Sequence, residues 1–335
     1  MKRLMAVLLL VIGLSGCTVL PGEERAFAVA LCVERAEGAW QAYARVPAYH
    51  AEGGYTTIHG AGTTLDGAFS ALEAASPMRL SFGQLRLIAL SASSGADDAM
   101  PSALRILVRK KDIRPDALVS VVYARVGEVS DSMNPVTGTR LSKSLEKLFE
   151  AKREQGRMPF VTLNDISRMG DRESLVLPCL RVERAEGEEA AQIVFEGCVL
   201  FGMNGMRALT LDDEETRLLS VLRGQMSRGR LPVEGEEMVF TGISSRTRLL
   251  KEGISTTITM RASGHDPSVD GLEAHLTQSF RVLTQKLQEA GCDALGLARQ
   301  SIAGADTWQT WIDSDWAGKY PDLPWEVRVR IEAPD

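Results

Sequence analysis

The first seventeen residues set the frame for everything that follows them. Met1-Lys2-Arg3 supplies a short positive start, Leu4 to Leu14 is apolar apart from Gly13, and Ser15, Gly16 and Cys17 come at once. A basic start, an apolar stretch of about ten residues and small residues at its end make a secretory signal. The run is well under the ~20 residues that cross a bilayer as a stable helix, and no later segment reaches that length. Leu14-Ser15-Gly16-Cys17 resembles the bacterial lipobox, where the cysteine thiol is lipidated and the chain is cut before it. That chemistry demands a thiol at the last position and small residues ahead of it. Residues 1–16 are therefore expected to be a signal peptide and Cys17 the lipidation site, with a soluble body beyond it on a lipid tether.

Charge narrows the partners. Loss of Lys2 and Arg3 leaves 36 basic against 44 acidic side chains. Such a surface is repelled by anionic lipid, so the lipid chain must do the anchoring. The same balance argues against a nucleic-acid partner, which favours a strongly basic face. Cys32, Cys179, Cys198 and Cys292 remain in the body. No pair has zinc or redox spacing, and scattered cysteines read as small buried hydrophobes.

Apolar periodicity divides the body into three units. In the first, residues 17–135, Phe27, Val29, Leu31 and Val33 alternate, as do Trp40, Ala42, Ala44 and Val46, which predicts an antiparallel hairpin. Gly53 to Gly62 reads as a glycine-rich loop or edge strand. Leu65, Phe69, Leu72 and Ala75 have helical spacing behind Thr64 as cap. Leu85 to Ala89 reads as a strand, Leu104 to Val108 marks a helix closing on Arg109, and Ala117 to Val126 reads as a ten-residue central strand. This unit is expected to be α/β. A small middle unit, 136–190, holds a helical stripe at Leu141, Leu145, Leu148 and Phe149, a capping box from Thr162 to Asp165, and a strand ended by Pro178. The last unit, 191–335, is expected to be α+β. It carries a hairpin bending near Glu196-Gly197, a helix behind Asp212 to Glu215, and strands at Met238–Thr241, Ser245–Leu250 and Ile254–Met260. Its clearest element is a helix through Leu272, Leu276, Phe280, Leu283 and Leu287, followed by a terminal strand at Trp325 to Ile331. The whole is expected to be a multi-domain body of mixed sheets flanked by helices, with antiparallel C-terminal strands against the long helix.

The search for chemistry comes up empty. His50, His59, His265 and His275 show no metal spacing, and no serine of the body sits in a nucleophile elbow. Gly53-Gly54 and Gly60-x-Gly62 lack the lysine of a phosphate loop and read as turns. Asp97-Asp98, Asp212-Asp213 and Glu214-Glu215 are adjacent acids, which do not face one another on a helix. Trp308, Trp311 and Trp316 read as core or interface residues rather than a sugar cage. No enzymatic activity, cofactor or metal is expected.

Taken in order, the landmarks resemble the C-subunit lipoprotein family of bacterial spore germinant receptors. They are Cys17, Glu24, the stretch Gly62 to Ala75, and Leu80-Ser81-Phe82 through Leu90. Arg109 to Arg114 is similar to the family's charged element, with Lys110 in place of an aspartate, and Leu177-Pro178, Val194-Phe195 and Gly202 follow. Cys292-Asp293-Ala294-Leu295-Gly296-Leu297 is similar to its aspartate–glycine segment, with Ala298 where a second glycine stands in the family. The tryptophan triplet and Val327-Arg328-Val329 complete the series. The resemblance implies a lipid-anchored, non-catalytic subunit on the outer face of the spore inner membrane, assembled with two integral-membrane receptor subunits. Asp293, Gly296, Trp308, Trp311 and Trp316 would then have an interface or structural role. The alternative is a lipid-anchored small-solute binding protein with its pocket between domains.

Overall fold

The structure, a computed structural model, describes residues 25–48, 54–92, 99–123, 125–134, 139–169, 174–184, 191–202, 207–233, 235–263, 269–304 and 307–332. The signal peptide and Cys17 lie outside these residues.

β1 (Arg25–Phe27) leads into β2 (Ala30–Ala36) and β3 (Ala39–Pro47), the hairpin the alternation predicts. Its two-residue bend places Glu37 and Gly38 at φ 52° and 80°, the left-handed pair that matches strand twist. β4 (Tyr55–Gly62) adds the edge strand, so Gly60-x-Gly62 is strand and not turn. The glycines admit α1 (Leu65–Ala75), whose backbone a Cβ at either position would overlap. Thr64 caps α1 by accepting from the Gly67 N–H. β5 (Arg79–Ser81) pairs with β1 in a separate two-stranded sheet. β6 (Leu87–Ser91), α2 (Ala99–Arg109) and β7 (Leu118–Val122) follow, each strand buried at every residue. The expected ten-residue strand is half that length because its apolar run continues into α3 (Val126–Ser132); a short apolar run does not distinguish strand from helix. α4 (Leu141–Glu154) buries Leu141, Leu145 and Phe149, and α5 (Leu163–Ser167) opens on the Thr162–Asp165 capping box.

β8 (Leu175–Arg184) runs straight through Pro178, and β9 (Ala191–Phe201) is one strand where a hairpin was expected. Gly197 sits at φ 74° and lets the chain of β10 (Arg207–Leu211) approach, since a Cβ there would strike the Leu211 carbonyl. Together they complete an eight-stranded sheet in the order β10-β9-β8-β7-β6-β2-β3-β4. The inner four strands are parallel and both flanks antiparallel. One face packs under α1, α2 and α5, the other under α3 and α4. The unit border expected between residues 190 and 191 falls between β8 and β9, which pair with each other, so this sheet crosses it.

α6 (Asp213–Leu222) starts on a second capping box, Asp212 with Glu215. β11 (Gly229–Val233), β12 (Glu236–Leu250) and β13 (Gly253–Ala262) form an antiparallel run. β12 merges the two strands expected at 238–241 and 245–250; a register shift at Gly242 absorbs the break. α7 (Val269–Glu289), α8 (Leu297–Ala303), α9 (Trp308–Asp313) and α10 (Trp316–Lys319) precede β14 (Trp325–Glu332). β14 joins β13 in parallel, which the long helical crossover permits. Leu272, Leu276, Phe280, Leu283 and Leu287 face Val327, Val329 and Ile258 in one core. Val176, Cys198, Leu200 and Leu211, carried by the large sheet, belong to that same core. Among the described residues no helix is long and apolar enough to cross a membrane.

Candidate functional site

The segment after α7 is built around one carboxylate. Gly291, at φ 61°, ends the helix in the left-handed conformation glycine favours. Asp293 then turns inward and is 1% exposed. Its two oxygens accept from the Leu297 N–H at 2.8 Å and the Ala298 N–H at 2.7 Å, fixing the start of α8. Gly296, at φ 69°, makes the bend between them.

Around this turn lies a separate aromatic core of Trp311, Trp316 and Tyr320 with Ile254, Leu297 and Ala298. The Tyr320 hydroxyl donates to the Cys292 carbonyl at 2.9 Å, and Gln288 Nε2 donates to the carbonyls of Tyr320 (3.0 Å) and Leu323 (2.8 Å). Four of the residues singled out in the sequence, Asp293, Gly296, Trp311 and Trp316, thus meet at one corner. Trp311 and Trp316 are buried, so neither offers an open ring face to a sugar. Trp308 heads α9, and its side chain, like Cys17, lies outside the described residues. Tyr320 and Gln288 were not anticipated; nothing in their local sequence pattern marks them.

Burial raises the Asp293 carboxyl above its ordinary range, against the pull of the Ala298 and Leu297 N–H groups. Burial also raises the Tyr320 hydroxyl, and the neighbouring Asp293 charge adds to it. Asp293→Ala leaves two buried N–H groups without acceptors. At ~1–3 kcal/mol each, the folded body should lose roughly 2–6 kcal/mol, read as a fall in urea midpoint. Asp293→Asn keeps an acceptor oxygen and should lose less. It should also flatten one pH slope. A carboxyl raised on folding favours the folded state below the ordinary carboxylate range and loses that contribution as pH climbs through its raised value.

The corner also walls a cleft of about 510 Å³. Asp165 and Arg168 of the α5 region, Ser174 before β8, and Arg223 and Gln225 after α6 line it opposite Gly296. Chemistry elsewhere is quiet. Burial pushes the thiols of Cys32, Cys198 and Cys292 up to about 12, which leaves them protonated and inert at neutral pH. His59 stacks on Tyr43 with ring centres 4.5 Å apart. Among the described residues no group of three His, Cys, Asp or Glu side chains is placed to hold a metal.

Residues 21–182 match the family model described as the spore germination protein N-terminal domain. Residues 196–333 match the model described as spore germination B3/GerAC like, C-terminal. Among solved structures the chain is similar to the GerBC protein, at 12% identity and a TM-score of 0.52, covering 91% of this chain and 97% of that one. At that identity the likeness is one of fold. No curated protein gave a match.

Proposed function

The chain belongs to the C-subunit family of spore germinant-receptor proteins, and from that premise we propose that it is a non-catalytic, lipid-anchored subunit of a nutrient-germinant receptor. It stands on the outer face of the spore inner membrane, held by Cys17, and works by contact with two integral-membrane subunits. The observation that carries this reading is the continuous match of both family halves, from residue 21 to residue 333 with one short gap. The protonated, buried thiols and the burial of Trp311 and Trp316 agree with a body that binds proteins rather than transforms substrates.

Confinement by lipid raises the effective concentration of the body beside its partners, so a modest interface suffices. Cys17→Ala should abolish lipid labelling and membrane retention and impair nutrient-triggered germination. Substitutions on the partner-facing surface should keep membrane retention but lose co-purification with the membrane subunits. Mass analysis of the native protein showing cleavage elsewhere and a free Cys17 thiol would overturn the anchoring. A second reading, a lipid-anchored small-solute binder, draws on the cleft beside Gly296.

A further inference from the structure

Arg45 and Arg217, the arginines buried outright among the described residues, are well served. Arg217 donates to Asp213 at 2.6 Å and to Glu237 at 2.7 Å. Arg45 donates to the Met133 carbonyl at 3.1 Å and to Asn134 at 2.7 Å. Arg223 has no ion pair and no side-chain hydrogen bond among the described residues, and its Nη1 is buried without a partner.

Its position explains how it reaches the cleft. The Arg223 backbone N–H closes α6 on the carbonyls of Leu219 and Val221, and Gly224, at φ 65°, turns the chain. Arg223 and Gln225 then both line the cleft. Gln225 Oε1 and Ser174 Oγ, on the same cleft, are also buried without partners. Buried polar groups are almost always paired, and a desolvated cation left alone is costly. Three such groups around one cavity favour a polar complement from outside the chain.

The charge of that complement follows from the lining. Arg168 and Arg299 add positive charge beside Arg223. Among the described residues one carboxylate lines the cleft, Asp165; one of its oxygens accepts from the Thr162 N–H at 2.9 Å and hydroxyl at 2.7 Å, and its charge offsets part of the cost of burying Arg223. Burial also draws the Arg223 guanidinium below the usual arginine range, a strain that a facing anion relieves.

We propose that this cleft is a carboxylate-binding site, with Arg223 as its anchor and Gln225 and Ser174 as flanking polar contacts. A guanidinium fork matches a carboxylate in two parallel hydrogen bonds. The volume, about 510 Å³, lies in the range of small-ligand sites. The carboxylate arrives on a small organic acid or on an acidic side chain of a protein segment.

Calorimetry on the purified full-length chain in detergent tests this, with malonate, a capped glutamate-containing peptide, inorganic phosphate and glycerol as probes. Malonate should bind at a single saturable site and glycerol should not. Arg223→Lys, which keeps the charge but loses the fork, should weaken malonate roughly tenfold. Gln225→Glu sets a negative charge beside Arg223 and should weaken malonate at least as much, with its urea midpoint measured to establish that it folds. Binding of the peptide alone supports the same seat with a protein source. Tighter binding of phosphate than of either carboxylate, no saturable carboxylate binding, or an affinity that both variants leave unchanged overturns the proposal. Because the purified chain is used alone, its failure leaves the receptor reading intact, and failure of membrane-subunit co-purification leaves the cleft intact.

Discussion

Phe280→Ala is expected to lower the denaturant midpoint of the body sharply. Phe280 is 0% exposed at the centre of α7, between Leu276 and Leu283 and against the sheet that holds Val327 and Val329. Truncating a buried phenylalanine costs about 3–5 kcal/mol, from lost transfer energy and the cavity left behind. Whole domains are stable by only about 5–15 kcal/mol, so this one change removes a large share. Val282, two residues on, is 52% exposed and makes the control: Val282→Ala should move the midpoint little. Equal midpoints for the two variants would place α7 outside the core and turn its apolar stripe into a docking face.

Gly60→Ala is expected to be nearly as damaging through a different mechanism. The added Cβ would overlap backbone atoms of Ala68 and Leu72, among them Leu72 Cα at 2.7 Å. Backbone cannot rotate away as a side chain can, so α1 must lift from β4. Overpacking of this kind typically costs ~1–3 kcal/mol, and here it also loosens the packing of α1 on that face of the eight-stranded sheet. Gly83→Ala is the matched control, because its nearest neighbour is Ser81 Oγ at 3.7 Å and the change should be near neutral. A melting temperature unchanged by Gly60→Ala would show that α1 does not lie against that strand.

What the sequence made legible is what depends on near neighbours. The 4, 4, 3, 4 spacing from Leu272 to Leu287 announces α7, and the pairs Thr162–Asp165 and Asp212–Glu215 announce two helix starts, because each signal spans a turn or two of the element it forms. Pro178 misled because a proline ordinarily ends a central strand. Here β7 joins β8 only at Cys179 and Leu180, just past the proline, and the ladder to β9 shifts register there. Gly197 misled for a related reason: it reads as a bend but serves a close approach by a strand further along the chain. At the candidate site, Asp293 and Gly296 were visible through their motif. Arg223 was not, since it comes from an earlier helix and nothing near it in sequence reveals an unpaired guanidinium. Its isolation is a property of the packed molecule.

Side chains cross between the two family halves in both directions. Val176 of the first matched segment enters the core beneath α7, and Val199 and Phe201 of the second enter the core beneath α1. The boundary between the segments also passes through the paired strands β8 and β9. A recombination event that joined the first half of one gene to the second half of a distant relative would therefore mismatch both a strand ladder and a core.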